Sequence, residues 1–419
     1  LFSPDKCPEL VSTWGIAFRE HYFKAVLEEK FIRKIKAREL WSRILTCQIE
    51  TGTPYLLYKD SCNAKSNQQN IGTIRSSNLC AEIVQYSDEH EFSCCTLASI
   101  GLPAFVKEDS FDFETMRITV AQAVHNLDNV IDKNYYPVDR TKSSNIKYRP
   151  LGIGVQGLND VFQTLELPIE GSEAKELNRR IFEHMYFAAL TESCKMAEEK
   201  GPYTKFQGSP ASEGKLSYDL WGEQPQDTSL NWSLLKSNIK THGLRHSLLI
   251  ACMPTASTSQ ILGNTECFEP INSNIFTRRT LTGEFIVSNK ILVKKLTKLG
   301  LWNETVQQQL MADRGSIQKI KIIPDKLKRV FKTVWEVSQK VLIDLAADRA
   351  PFVDQSQSLN LFLKAPTINQ VSSMNFYAWS KGLKTGIYYL RSQGASHAEM
   401  YSVDNETERK EPDCVMCSA

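Results

Sequence analysis

Long amphipathic segments alternate with short apolar runs along this chain, and that alternation limits the choice of fold more than any other feature. Apolar residues at helical spacing predict four helices, over residues 36–49, 113–131, 173–200 and 325–349. Two short apolar runs, 247–253 and 384–392, are typical of buried strands. No internal repeat and no domain linker separates these elements before the charged stretch at 404–413. The alternation therefore predicts an α/β fold.

The composition is that of a globular protein without an electrostatic bias toward one class of partner. Of 419 residues, 42% are hydrophobic and 23% are charged, and the net charge is +2. Charge therefore gives no argument for a nucleic-acid partner. No apolar run approaches the roughly 20 residues of a membrane span, and we find no secretory signal. We expect neither a nucleic-acid nor a membrane partner.

The 11 cysteines are spread from Cys7 to Cys417 and do not form a compact disulfide scaffold. In a long chain this spacing predicts mostly free thiols and a reducing, cytoplasmic compartment. The terminal CVMC (414–417) would need two further ligands to bind zinc, so it is either an exchanging dithiol or an inert tail. Because residue 1 is Leu rather than Met, we expect a fragment or a processed form.

One glycine-rich motif resembles a dinucleotide-binding loop only in its spacing. GIGVQG (152–157) matches G-x-G-x-x-G, but the preceding SNIKYRP is polar and does not predict the strand that such a loop requires. We interpret the glycines as shaping a turn into a helix that carries Leu158. A nicotinamide-dependent enzyme is the alternative that this motif offers, and we do not favour it.

A polar segment rich in Asn, Ser and Gln, residues 59–82, lacks periodicity and predicts a long loop of the kind that is often functional. Near its end, SNLCAEI places the Cys80 thiol between the Asn78 amide and the Glu82 carboxylate. These three side chains are the first candidate site residues.

The motif MPTAST (253–258) has hydroxyl groups at Thr255, Ser257 and Thr258. If a helix follows, its N-terminus would favour an anion. An ordinary N-cap and turn explains the same residues equally well. The sequence alone leaves both interpretations open.

Two adjacent pairs complete the candidates. Tyr388 and Tyr389 lie on a predicted strand, where neighbouring side chains point to opposite faces, and paired aromatic residues usually serve packing. Cys94 and Cys95 stand side by side in SCCTLAS, and on their own they indicate little.

Taken in order, these stretches resemble one family. SNQQNIGTIRSSNLCAEIV, CTLASI, RPLGIGVQGL, MPTASTSQILGN, TGIYYLRS and CVMC are similar to the large, catalytic subunit of class I ribonucleotide reductase of eukaryotic and viral type. The resemblance covers the whole chain. It implies the C-terminal half of a ten-stranded α/β barrel over residues 1–400, with a central finger loop at about 59–82. Residues 401–419 would form a flexible redox tail.

The resemblance also implies an activity, the radical-based reduction of ribonucleoside diphosphates to deoxyribonucleotides. A thiyl radical at Cys80 would abstract the 3′ hydrogen, Glu82 would take the 3′-hydroxyl proton, and Asn78 would hydrogen-bond the substrate. A carboxylate suits this general-base role, and a loop tip can hold all three groups against one ribose. The resemblance also assigns the other candidates: Cys95 as the thiol oxidised during reduction, Thr255, Ala256, Ser257 and Thr258 as the diphosphate turn, Tyr389 and Tyr388 as the radical relay, and Cys414 and Cys417 as the dithiol that re-reduces the site.

The partners implied are a metal-containing small subunit that supplies the radical, and thioredoxin or glutaredoxin that recharges the tail. This chain itself would bind no cofactor or metal. The effectors ATP and dATP would bind the family's N-terminal part, which this chain lacks, and the full-length protein would be a homo-oligomer.

The chain departs from the family in two ways. It matches the C-terminal half alone, so we expect exposed sheet edges, poor folding in isolation, and no partner for Cys95 among Cys7, Cys47 and Cys62. Thr96 also replaces the family's usual Asn, and Cys94 adds a competing thiol. The alternative function is therefore a truncated, non-catalytic relic or scaffold that only binds partners.

Overall fold

The computed structural model describes residues 1–393 and contains both helices and short strands. The α-helices are α1 Glu9–Ser12, α2 Gly15–Leu27, α3 Ala37–Thr51, α4 Lys59–Ala64, α5 Phe113–Lys133, α6 Asp139–Tyr148, α7 Leu158–Thr164, α8 Ser172–Lys200, α9 Ser217–Leu220, α10 Trp232–His242, α11 Thr258–Leu262, α12 Lys290–Lys298, α13 Glu304–Ala312, α14 Asp325–Val330, α15 Gln339–Arg349 and α16 Ile368–Ser380. The strands are β1 Leu56–Leu57, β2 Leu97–Gly101, β3 Val106–Lys107, β4 Ser110–Phe111, β5 Gly152–Gln156, β6 Ile275–Thr280, β7 Gly283–Ser288, β8 Leu361–Leu363, β9 Thr385–Ile387 and β10 Leu390–Ser392. The predicted α/β class is confirmed. None of the described helices is long and apolar enough to cross a bilayer.

Three of the four predicted helices are confirmed as α3, α5 and α8. The prediction of one continuous helix over 325–349 is wrong, because α14 and α15 are separate. Thr333 and Glu336 form a capping box between them, in which the Thr333 amide donates to the Glu336 carboxylate at 2.7 Å. A local cap of this kind starts a new turn and so ends the preceding helix.

Parallel pairing organises the larger of two compact units, Leu1–Asn272 with Asp325–Gln393. β2 pairs with β5 in parallel, with Leu97 opposite Gly152 and Gly101 opposite Gln156. The ladder continues outside the named strands through parallel bridges from Ile153 to Ile250 and from Cys252 to Gln357. The predicted strand at 247–253 is therefore present only as bridging segments. No closed barrel forms among the described residues, whose strands pair two by two.

The glycine-rich motif is itself a strand, which corrects the prediction of a turn there. Gly152 and Gly154 lie within β5, and a Cβ at Gly154 would stand 2.8 Å from the Ala251 carbonyl oxygen. Only Gly157 acts as predicted, since it adopts φ +78° just before α7. The first two glycines therefore let neighbouring strands approach closely, and they do not surround a phosphate.

Helices cover this ladder and supply most of the core. α5, α10 and α15 all pack against α8, and buried residues occur along the whole length of α8. The smaller unit, Ser273–Pro324, pairs β6 with β7 as an antiparallel hairpin and adds α12 and α13.

Candidate active site

The polar segment 59–82 is held by its own amide side chains. Its first six residues form α4, so the prediction of a continuous loop is wrong at that end. The Asn63 side chain both accepts from the Ile74 amide, at 2.7 Å, and donates to the Ile74 carbonyl, at 3.0 Å. Asn67 donates to the Ser247 carbonyl at 2.9 Å. The Asn and Gln content therefore satisfies backbone groups that irregular, partly buried chain would leave unpaired.

The loop ends in a tight turn at residues 78–83. Asn78 Oδ1 accepts from the Ile83 amide at 3.1 Å, and Asn78 Nδ2 donates to Glu82 Oε1 at 2.9 Å. Between them Ala81 is fully buried and adopts φ +65°, an unusual conformation for a residue with a side chain. This turn brings the Asn78 amide and the Glu82 carboxylate, on either side of Cys80 in sequence, into direct contact.

A buried polar run, VDQSQSLN (353–360), supports the turn from beneath. The single hydroxyl hydrogen of Ser358 is shared between the Cys80 backbone carbonyl and Glu82 Oε2, the latter 3.0 Å from Ser358 Oγ. Thr385 Oγ1 donates to the Ala81 carbonyl at 2.7 Å. Sequence reasoning missed Ser358 and Thr385. The available signal was the alternation of Gln and Ser over residues 355–358, without the Gly and Pro that are typical of an exposed turn.

The Glu82 carboxyl lies in a protected environment, since the residue is 1% exposed. Burial raises the pKa of Glu82, although hydrogen bonds that include those from Asn78 and Ser358 oppose the shift. A carboxylate with a raised pKa is a stronger proton acceptor than one in water. The turn therefore holds a buried carboxyl group with a raised pKa two residues from Cys80.

The two tyrosines lie at a break between β9 and β10, so the prediction of one continuous strand over 384–392 is wrong. For the same reason their rings do not point to opposite faces, and the ring centroids of Tyr388 and Tyr389 are 4.4 Å apart. Burial, followed by hydrogen bonding to the Cys80 thiol, raises the pKa of Tyr388 well above its usual range. Tyr388 is buried and Tyr389 only half-buried.

The vicinal cysteines precede β2 and differ in their surroundings. Although Cys95 is exposed as a residue, desolvation of its thiol, with added charge effects from Glu82, Cys94 and Cys80, raises the pKa of Cys95 to about 11. The Asn78 side chain opposes this rise in the pKa of Cys95. The pKa of Cys94 is raised by burial alone. Cys95 is therefore the member of the pair that faces the turn.

The hydroxyl-rich turn follows a segment that borders the same polar run. The Cys252 amide donates to the Ser356 carbonyl at 3.0 Å. Thr255 is buried and its Oγ1 accepts from the Cys267 amide at 2.7 Å, whereas Ala256, Ser257 and Thr258 are exposed. Ser257 precedes α11 but makes no capping hydrogen bond through its side chain. The ordinary side-chain cap is therefore not formed here.

The remaining thiols are placed as follows. Cys7 and Cys62 are buried and Cys47 is exposed, and all described cysteines are free. Cys414 and Cys417 lie outside the described residues. Across residues 1–393, no group of three or more His, Cys, Asp or Glu side chains has a geometry that could hold a metal ion.

These features define an α/β protein whose candidate site joins a tyrosine pair, a thiol and a buried carboxylate. A family model described as "Ribonucleotide reductase, barrel domain" matches residues 1–389, and the chain belongs to this family. Its relatives include the ribonucleoside-diphosphate reductase large subunits of Plasmodium falciparum, 53% identical over 96% of this chain and 50% of that protein, and of vaccinia virus, 51% identical over 97% and 52%. Large chain 2 of Saccharomyces cerevisiae is 51% identical over 97% of this chain and 47% of its own length.

A solved structure agrees. The alpha subunit of the Actinobacillus ureae class Id ribonucleotide reductase superposes with a TM-score of 0.67 at 27% identity, over 90% of this chain and 64% of that one. The predicted family is therefore confirmed. The chain spans about half the length of the curated relatives it matches.

Proposed function

We propose that this chain carries the radical and base chemistry of a ribonucleoside-diphosphate reductase, which converts ribonucleoside diphosphates to 2′-deoxyribonucleoside diphosphates. One observation carries the proposal: the Cys80 thiol lies near enough to the Tyr388 phenol to raise its pKa, while the carboxylate of Glu82, two residues on, is buried and hydrogen-bonded by Asn78 and Ser358. A hydrogen-atom acceptor on one side of the thiol, which can generate the thiyl radical, and a proton acceptor beside it are what a thiyl-initiated reduction needs.

The proposed chemistry begins at the thiol. The Cys80 sulfur radical takes the 3′ hydrogen atom of the ribose, which forms the thiol and a carbon radical. Glu82 accepts the 3′-hydroxyl proton and thereby assists loss of the 2′-hydroxyl as water. Asn78 hydrogen-bonds the substrate hydroxyls. Two electrons and two protons come from a pair of thiols that becomes a disulfide, one of these protons leaving in the water, and we assign Cys95 as one of the two thiols. Glu82 returns its proton to the 3′ oxygen, and the Cys80 thiol returns its hydrogen atom to the 3′ carbon, which restores the Cys80 radical.

The radical reaches Cys80 by two hydrogen-atom transfers. Tyr389, half-buried, receives it from a metal-containing small subunit and is the outer residue of the pair. Tyr388 then gives its phenolic hydrogen to the Tyr389 radical, and the Cys80 thiol gives its hydrogen to Tyr388. The 4.4 Å separation of the ring centroids supports transfer between the two tyrosines, and the effect of the Cys80 thiol on the pKa of Tyr388 supports Tyr388 as the inner residue.

The substrate diphosphate occupies the turn formed by Thr255, Ala256, Ser257 and Thr258. The exposure of the last three residues and the missing side-chain cap at Ser257 leave backbone amides available for an anion. Cys414 and Cys417 re-reduce the site disulfide by thiol exchange, and thioredoxin or glutaredoxin recharges them.

Several finer assignments belong to the same proposal. Residues 1–400 form one half of a ten-stranded barrel, with about 59–82 as its finger loop, and 401–419 form the redox tail. The protein acts in the cytoplasm, and at full length it is a homo-oligomer. This chain needs no metal or cofactor of its own, and ATP and dATP bind the N-terminal part of the longer subunit.

The test is turnover of cytidine diphosphate with a radical-bearing small subunit and a dithiol. Because the chain spans about half of its relatives, it is assayed joined behind the N-terminal half of the S. cerevisiae large chain 2. We expect deoxycytidine diphosphate from this chimaera, none from its Cys80→Ser or Tyr388→Phe variant, and undiminished turnover from Cys47→Ser, which removes an exposed thiol. A folded chimaera that binds the small subunit without turnover would support the non-catalytic alternative.

A further inference from the structure

A third tyrosine contacts both members of the proposed relay. The Tyr55 ring centroid lies 4.8 Å from that of Tyr388 and 5.0 Å from that of Tyr389. With the 4.4 Å between Tyr388 and Tyr389, the three rings form a closed triangle. Edge and tilted contacts at these distances are favourable aromatic geometries. Tyr55 therefore belongs to the same cluster, although no sequence motif drew attention to it.

Backbone pairing holds Tyr55 in this place. Tyr55 directly precedes β1, which pairs antiparallel with β9, so that Leu56 stands opposite Ile387. The same two segments of the chain are joined again at Gly52, three residues before Tyr55, where the Leu390 amide donates to the Gly52 carbonyl at 3.0 Å. A Cβ at Gly52 would lie 3.4 Å from Cδ1 of Tyr389. The Gly52–Tyr55 segment is thus a fixed wall against the tyrosine pair.

The Tyr55 hydroxyl also takes part in the cluster. Burial, and then hydrogen bonding to Tyr389, raises the pKa of Tyr55 to about 12. The neighbouring Tyr388 phenol opposes this rise in the pKa of Tyr55. Tyr55 therefore remains a neutral phenol at physiological pH and can donate one hydrogen bond. A Phe at this position would provide the ring contacts but not that hydrogen bond.

We propose that Tyr55 is a positioning residue, whose ring and hydroxyl hold the Tyr388 and Tyr389 phenols in the arrangement that hydrogen-atom transfer to Cys80 requires. This inference rests on the proposed function. Each transfer moves one electron and one proton between two oxygens, or between oxygen and sulfur, and its rate depends steeply on their alignment. Tyr55 is neither oxidised nor consumed in the cycle.

The test compares Tyr55→Phe with Tyr58→Phe in the active chimaera with its small subunit. Tyr58 is a matched control three residues further along the chain, because its hydroxyl donates to the Asn375 carbonyl at 2.6 Å and not to a member of the tyrosine pair. We expect Tyr55→Phe to lower kcat about tenfold with an unchanged KM for cytidine diphosphate, since alignment affects the radical step and not substrate binding. Tyr58→Phe should keep kcat within about twofold. Equal kcat values for Tyr55→Phe and the parent would overturn the proposal.

A spectroscopic measurement distinguishes a positioning role of Tyr55 from a folding defect and from a role as a radical carrier. 3-Aminotyrosine at position 388 is easier to oxidise than tyrosine and traps the radical there, and electron–nuclear double resonance counts the exchangeable protons around it. Tyr55→Phe should remove or shift one such coupling, and unchanged couplings would contradict the proposal. A radical trapped by 3-aminotyrosine at position 55 would make Tyr55 a relay member and overturn the positioning role. Failure of the proposed function is distinct, because the parent chimaera would then show no turnover at all, or its Tyr388→Phe variant would turn over as fast as the parent.

Discussion

Ser358 Oγ lies 3.0 Å from Glu82 Oε2 and also contacts the Cys80 backbone carbonyl, so one buried hydroxyl supports both the base and the thiol loop. Ser358 and Glu82 are 276 positions apart in the chain. The contact therefore depends on the parallel ladder that brings VDQSQSLN beneath the turn. It also makes Ser358 the most informative supporting residue to change.

We expect Ser358→Ala to move the acidic limb of the pH–activity profile to higher pH. The Ser358 hydrogen bond stabilises the charged carboxylate and so opposes the rise in the pKa of Glu82. Without it the pKa rises further, and the base is ionised only at higher pH. The measurement is kcat/KM against pH in the chimaera. Ser356→Ala is the control, since that hydroxyl pairs with Thr385 at 2.7 Å, and an equal shift in both variants would contradict the assignment.

Glu269→Gln should flatten the dependence of stability on pH. Burial raises the pKa of Glu269 from 4.5 to about 7, although the Asn360 amide donates to its carboxyl at 2.6 Å. The folded state therefore holds a proton that the unfolded state releases, and stability falls as pH rises between about 4.5 and 7, by up to roughly 1.4 kcal/mol per pH unit. The amide cannot ionise, so this decline is absent in the variant.

The measurement is the free energy of unfolding from chemical denaturation at pH 5 and pH 8, for the parent chimaera and for its Glu269→Gln variant. Glu266→Gln removes a half-exposed carboxyl three residues away and should keep the parental decline. The same decline in Glu269→Gln as in the parent would show that other groups cause it.

Gly154→Ala should destabilise the fold by roughly 1–3 kcal/mol, the usual cost of overpacking. The added methyl would stand 2.8 Å from the Ala251 carbonyl oxygen and 3.3 Å from the Cys252 Cα, both backbone atoms. At Gly101, on the neighbouring strand, the nearest atom would be 3.4 Å away on the Asn264 side chain, so Gly101→Ala is the tolerated control. Thermal unfolding measures both, and equal stability of the two variants would refute the packing role.

Cys95→Ser should abolish multiple turnover, whereas Cys94→Ser should retain most of it. The Cys95 thiol interacts with Asn78, Glu82 and Cys80, while the Cys94 thiol lies 4.0 Å from the Cys95 carbonyl oxygen and shows no such interactions. Repeated cycles with a dithiol reductant, together with mass spectrometry of alkylated thiols after one turnover, measure this difference. The opposite ranking of the two variants would assign the redox role to Cys94.

The helices α3, α5 and α8 could be predicted because helical periodicity is a local property of the sequence. The break between α14 and α15 could not be predicted from that apolar pattern, because it depends on a capping contact. The prediction of a turn at GIGVQG was wrong for a related reason. Gly154 is required by the close approach of the neighbouring segment at Ala251 and not by its own backbone conformation.

The sequence by itself determined the family and the α/β class, together with the residues that we proposed as thiol, base, relay and phosphate turn, because these depend on residue types in a fixed order. Only the tertiary structure decided which side chains meet: Tyr55 with the tyrosine pair, Ser358 with Glu82, and Cys95 rather than Cys94 with the turn. The physical reason is distance along the chain. Such contacts form only after the parallel ladder has brought distant segments of the chain together. The polar groups buried between those segments must then find hydrogen-bond partners.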